Sequence, residues 1–269
     1  MNTIQRAKSA LWHQSGLSHD SKGYLDDPDP AANLLPGVKF EPIIKLIKDD
    51  FGKGSGNEWL GKIRAIHSSS ALAANSFGCW REDQSSLSLL VYKGFQSLAF
   101  EAHCPTGLGG TPPNLDVLLK SSDFVIGIES KLLEPLSLKT PRFSASYSRD
   151  RLPFCEDAWW NLLQSLRHDR PSHVDSAQLV KHYLGLRKQF QDGREIVLLY
   201  LFWKPLNADD FPEYAQHADD LCRFQEAVAV APAVKFIAMD YLSLWHEWEK
   251  QAGMAQHAKR LQARYAVEI

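Results

Sequence analysis

Asp116, Glu129 and Lys131 are the residues of this chain whose types and spacing could do chemistry. Each adjoins an apolar run. Val117-Leu118-Leu119 follows Asp116, and Phe124-Val125-Ile126-Gly127-Ile128 precedes Glu129. Runs of that length between turn residues read as core strands. A carboxylate or an ammonium beside a core strand costs several kcal/mol unless something compensates it. A divalent cation shared by Asp116 and Glu129 would do so, which points to metal-dependent hydrolysis. Hard cations such as Mg²⁺ take this oxygen-donor chemistry, with waters and a substrate phosphate completing the octahedron.

The elements that must position these groups follow from strand geometry. Side chains alternate along a strand, so Glu129 and Lys131 share a face about 7 Å apart, and Ser130 points the other way. The short turn Lys120-Ser121-Ser122-Asp123 joins residues 114–119 to 124–131 as a hairpin of antiparallel neighbours. Asp116 then lies across from the end of the second strand, near Glu129. Around the hairpin, the periodicity predicts a helix from Asn57 to Phe77 with Asn57 as N-cap, and strands over 87–92 and 95–103. A Gly-Pro loop over 105–113 leads into the hairpin, with no Gly-Lys-Ser/Thr ending, so it is not an NTP-binding loop but a loop over the site. A polar stretch (137–153) follows, then helices near 155–168 and 175–190. The nearly continuous apolar run 195–203 reads as a central strand covered on both faces. The remainder reads helix (213–230), strand (234–239), helix (244–265). The fold class expected is α/β, a mixed central sheet flanked by helices in the order α-β-β-β-α-β. Residues 1–50 read as an N-terminal arm and loop packing on the core, and 51–269 as one domain with a C-terminal helix-strand-helix extension.

The hairpin resembles the PD-(D/E)XK nuclease superfamily. Pro113-Asn114-Leu115-Asp116 stands in the Pro-Asp half and Glu129-Ser130-Lys131 matches the Glu-X-Lys half. Asn114-Leu115, inserted between Pro113 and Asp116, is a departure from the pattern. The surrounding text, from His67-Ser68-Ser69-Ser70-Ala71-Leu72-Ala73-Ala74-Asn75 through Gln178-Leu179-Val180-Lys181-His182-Tyr183, looks like bacterial proteins described as restriction-endonuclease-like. The resemblance implies a restriction-endonuclease-like core and hydrolysis of phosphodiester bonds in DNA with Mg²⁺ or Mn²⁺ as cofactor. Asp116 and Glu129 would be the metal ligands, with the Ser130 backbone carbonyl as a further one. Lys131 would sit beside the attacking water and stabilise developing charge. Glu101, ending its strand, is a candidate third carboxylate. Glu58 matches the acidic helix position of the superfamily, and Gln178 its helix-borne glutamine. Each also reads as an ordinary surface polar residue. Arg142, Arg149, Lys181 and His182 are candidate nucleic-acid contacts, in or beside a stretch made locally basic by Arg142, Arg149, Arg151, Arg167 and Arg170. A structural reading stays open, with Glu129 and Lys131 as a solvated ion pair and Asp116 as a turn cap. So does a non-catalytic DNA-binding or assembly module that keeps the fold. Dimerisation accompanies the cutting of both strands in such enzymes, and no seam for a homodimer is visible.

Composition agrees with a globular protein. Of 269 residues, 44% are hydrophobic and 23% charged, enough to bury a sizeable core. No run of about 18 uncharged apolar residues exists, so no membrane span is expected. Cys79, Cys104, Cys155 and Cys222 lie far apart with no CxxC pair and read as reduced thiols. The N-terminus has no apolar stretch of the secretory type, and a cytoplasmic location is the expectation. A net charge of −2 argues against a general polyanion-coating protein while leaving room for a local basic groove. No Gly-X-Ser-X-Gly elbow or His-Glu-X-X-His helix is present, which excludes those hydrolase classes.

Overall fold

A computed structural model of the chain describes residues 1–53 and 58–269. Its centre is a five-stranded sheet of β3 (Ser97–His103), β4 (Asn114–Lys120), β5 (Phe124–Lys131), β6 (Glu195–Phe202) and β7 (Lys235–Asp240) in that spatial order. The first three strands pair antiparallel, and β5, β6 and β7 run parallel. The sheet is therefore mixed, and the α/β class expected from the sequence is the class observed. A two-residue hairpin of β1 (Ser88–Leu89) and β2 (Tyr92–Lys93) stands apart from it, in place of the longer strand expected over 87–92.

Helices cover both faces because the strands alternate apolar residues to both. One layer holds α2 (Glu41–Lys53), α3 (Ser69–Phe77), α7 (Tyr241–Glu249) and α8 (Ala255–Tyr265). It buries Phe77, Trp245 and Trp248 against Phe100, Val117, Ile128 and Leu199. The other holds α4 (Asp157–Leu166), α5 (Ser176–Gln189) and α6 (Pro212–Val228). It buries Trp159, Tyr183 and Phe224 against Leu118, Val125 and Leu198. Burial on both faces explains why β5 and β6 read as continuous apolar runs and not as alternating ones. The opening helix α1 (Thr3–Ser15) is closed by a capping box at Asn2 and Gln5 and a left-handed Gly16. It packs on α8 and contributes Ala7 and Leu11 to the first core layer.

Two expected helices divide. The stretch 57–77 yields a π-helical turn over Glu58–Lys62 and then α3, which starts at the Ser68 cap. Asn57 itself lies outside the described residues. The stretch 244–265 yields α7 and α8, because the chain turns at residues 250–254, around Gly253, and folds α8 back on α7. In both cases apolar spacing continues across a break that only packing of the two halves requires.

Candidate active site

The hairpin forms at the expected place, with Lys120 in β4 and not in the turn, so that residues 121–123 connect the strands, and its register pairs Val117 with Ile128 and Lys120 with Val125. Continued by one residue, that register sets Asp116 opposite Glu129. On its other side, β4 pairs Phe100 with Val117 and Ala102 with Leu115, so Asp116 is also opposite Glu101. The ladder is interrupted there, since Glu101 takes a left-handed φ of 47°. A non-glycine residue in that region is uncommon and held only by its surroundings. One support is Asp50 on α2, whose carboxylate accepts the Phe100 N–H at 3.1 Å and the guanidinium of Arg81 at 3.0 and 3.2 Å. Glu101, Asp116 and Glu129 thus form a row across three adjacent strands, at the edge where β5, β6 and β7 end.

The hairpin opens at this row. The Ser130 N–H donates to Asp116 Oδ2 at 2.6 Å, so a side-chain carboxylate stands where a main-chain carbonyl would continue the ladder. Asp116 Oδ2 is thereby fixed, Oδ1 enters no hydrogen bond among the described residues, and the residue is half-buried. Glu129 is 1% exposed. One of its oxygens pairs with the Lys131 ammonium on the same strand face. The other lies 2.6 Å from His182 Nε2, close enough for an ion pair yet outside hydrogen-bond geometry. Lys131 also donates to Gln178 Oε1 at 2.8 Å. Gln178 and His182 are four residues apart and so share one face of α5, whose start is set by the Asp175 cap on the Gln178 N–H at 3.0 Å. Ser130 points to the opposite layer, where its hydroxyl meets that of Tyr241 at 2.7 Å.

Glu58 and Lys62 complete the cluster from the π-helical turn. Lys62 Nζ bonds Glu58 Oε1 at 2.5 Å, while Glu58 Oε2 is buried with no hydrogen-bond partner among the described residues. Acid outweighs base in this group, and the titration of its members follows. Burial and then the Glu129 charge push the Asp116 carboxyl well above the usual range. Burial and then Glu58 push Glu101 up to about 7. Burial opposes the Glu129 charge too, but Lys131 and His182 outweigh it and hold that carboxyl at about 2. Lys131 resists burial because Glu129, Glu134 and Asp116 favour its charge, so its pKa is raised. Adjacent carboxyls pushed to opposite ends of the scale are a pattern of sites built for acid–base or ion chemistry.

A hard cation fits this donor set in one form. Among the described residues no three His, Cys, Asp or Glu side chains are grouped to cage an ion. What exists is an ionised Glu129 beside an Asp116 whose charge lacks compensation, with one oxygen open. Mg²⁺ is commonly held by one or two carboxylates, the rest being water and substrate phosphate. Asp116 and Glu129 would hold it, with the Ser130 carbonyl as the remaining protein candidate.

The other expected residues separate. Glu101, Glu58 and Gln178 join the cluster. His182 is 0% exposed behind Glu129, and a nucleic-acid strand has no access to it. Arg149 is turned to protein, bonding the Cys155 carbonyl at 2.7 Å and Asp157 at 2.6 Å, with its guanidinium over Trp160. Lys181 is half-buried and Arg142 exposed. The Gly-Pro loop lies along the far half of α5: Leu108 is buried, its carbonyl is held by Arg151 at 3.1 Å, and Gln189 bonds the His103 carbonyl at 3.1 Å. Sequence reading missed Lys62. Its signal was the four-residue spacing from Glu58, the reach of a helical ion pair. It also missed that Gln178 and His182 serve Lys131 and Glu129 directly, which no local spacing reports.

No helix among the described residues is long and apolar enough to cross a membrane. No curated protein and no solved structure matches the chain. A family model does match it, over residues 5–266, nearly end to end, and carries the description Restriction Endonuclease associating with ARP. The chain belongs to that restriction-endonuclease-associated family.

Proposed function

We propose that the protein is a metal-dependent nuclease that hydrolyses phosphodiester bonds in DNA, with Asp116, Glu129 and Lys131 as its catalytic residues. The observation that carries this reading is the buried Glu129–Lys131 pair on β5 facing Asp116 across the opened end of the hairpin. The family description adds support for a nuclease acting on DNA. Asp116 and Glu129 would hold a Mg²⁺ or Mn²⁺ ion, which would supply Lewis acidity toward the phosphate and a water.

The chain's own residues do the rest. The Ser130 N–H fixes Asp116 Oδ2 and leaves Oδ1 for the ion. His182 closes the back of Glu129 and keeps it ionised. Lys131 retains its proton, so it acts as a fixed positive charge that orients the attacking water and stabilises charge developing on the phosphate. Gln178 holds the ammonium in place through its carbonyl oxygen and leaves its amide N–H groups as phosphate donors. Glu101 and Glu58 deepen the negative field that attracts the cation.

One observation favours a second reading, a non-catalytic module of a restriction assembly: both Glu129 oxygens already face protein groups, the Lys131 ammonium and the His182 imidazole. Incubating the purified chain with supercoiled DNA and Mg²⁺ or Mn²⁺ separates the two. Nicking is expected, ended by EDTA, and cut about a hundredfold to a thousandfold by Lys131→Ala in protein shown folded by circular dichroism. Cleavage that survives EDTA, or no cleavage with either metal, sinks the catalytic reading.

A further inference from the structure

At the other end of the sheet lies a cleft of about 800 Å³ that the proposed nuclease chemistry does not use. Its walls include Phe154, Arg187, Phe190, Arg194, Glu195 and Lys235. Glu195 opens β6 and pairs with Phe124, whereas Glu129 and Lys131 stand five and seven residues further along β5. At about 3.3 Å per residue this places the cleft roughly 17 to 23 Å from the acidic row. The size matches sites for small organic ligands.

The charges in the cleft do not balance. Arg194 is paired with Asp192, and Glu195 accepts the Tyr92 hydroxyl. That sets Arg187 and Lys235, neither of which has an ion-pair partner among the described residues, against the single carboxylate of Glu195 in the lining. Arg187 lies in the last turn of α5, where the helix dipole favours a cation. That accounts for a charge at this position and leaves the guanidinium at the cleft wall without an ion-pair partner among the described residues. An anionic ligand would supply a counter-charge to both cations. Beside these cations, Phe154 and Phe190 are half-buried and each already lies under a cation, Lys188 at 5.5 Å and Arg194 at 5.1 Å from the ring centroids. Rings lining the cleft next to unpaired cations suit a ligand that is flat at one end and anionic at the other. We propose that this cleft is a nucleotide site, with the phosphate held by Arg187 and Lys235 and the base against Phe154 and Phe190.

Calorimetric titration of the full chain with ATP, AMP and inorganic phosphate, in buffer containing EDTA, tests this. Saturable binding of the nucleotides is expected, with phosphate alone weaker by about tenfold because it forgoes ring stacking. Arg187→Gln should weaken ATP about tenfold or more by removing the charged donor. Lys235→Gln, at an exposed position, should weaken it severalfold. Phe190→Leu should weaken nucleotides and leave phosphate unchanged. The site is refuted if wild-type protein binds none of the three, if it binds phosphate as well as ATP, or if folded Arg187→Gln and Lys235→Gln both bind ATP like wild type. Binding that needs Mg²⁺ and disappears in Lys131→Ala would belong to the acidic row, overturning the cleft assignment while leaving the nuclease reading in place.

Discussion

Ser130 and its two neighbours sit on opposite faces of β5. Toward α3 and α7, the Ser130 hydroxyl meets Tyr241 at 2.7 Å, a neutral pair that satisfies both groups inside an apolar layer. Toward α5, Glu129 and Lys131 are equally buried but remain charged, and their pairing recruits His182 and Gln178. The first arrangement is the economical way to bury a polar group. The second is costly, since desolvating two ions often exceeds their attraction and well-packed apolar residues would do as well. Stability does not account for the charged face, so its cost points to a task at the site.

That contrast can be broken by substitution. Lys131→Met leaves Glu129 buried without its nearest counter-ion and should cost about 3–5 kcal/mol in urea unfolding. Adding Glu129→Leu should recover most of that loss, because the double variant buries no uncompensated charge. A double variant as unstable as the single one would make the pair an ordinary stabilising bridge, and the two faces would no longer differ.

Acidity sharpens the comparison further. The folded Glu101 carboxyl is raised from 4.5 to about 7. An acid raised on folding contributes stability below its unfolded pKa and loses it as pH climbs through the folded value. Unfolding free energy should therefore fall between pH 4.5 and 7, by on the order of 3 kcal/mol from this group. Glu101→Gln should flatten that slope, and an unchanged slope would remove Glu101 from the cluster. Glu129 has the opposite sign. Its carboxyl is lowered from 4.5 to about 2, so its contribution is present above pH 4.5 and disappears as pH falls toward 2. Glu129→Gln should erase that acid-limb dependence in a thermal-melt series.

The smallest effect belongs to the neutral face. Ser130→Ala orphans the Tyr241 hydroxyl and should cost about 1–2 kcal/mol, with the pH profile of stability unchanged. A shift in that profile would mean the two faces communicate through the strand.

Much of the site was legible because it is local. The apolar runs, the short turn and the period of two were enough to put Asp116 beside Glu129 and to part Ser130 from its neighbours. Phosphate-contact assignments travelled less well. Lys181 and His182 are adjacent in sequence, yet helical rotation leaves one half-buried and seals the other behind Glu129. Arg149 looked like part of a basic groove but spends its donors on Cys155 and Asp157. The break between α7 and α8 was hidden because both helices carry apolar residues at similar spacing.

By itself, the order of residues determined the α/β class, the hairpin, and which three side chains face each other at its mouth, since alternation and turn length are properties of neighbouring positions. Only the tertiary structure decided that α5 would deliver His182 and Gln178 to that mouth, that Glu101 would adopt a left-handed backbone in line with Asp116, and that Glu58 would arrive with Lys62. The Glu58–Lys62 pair is itself local, but its arrival at the mouth and the other contacts join residues far apart in the chain. They depend on how helices pack across a sheet, and no repeat or spacing along the chain encodes that packing.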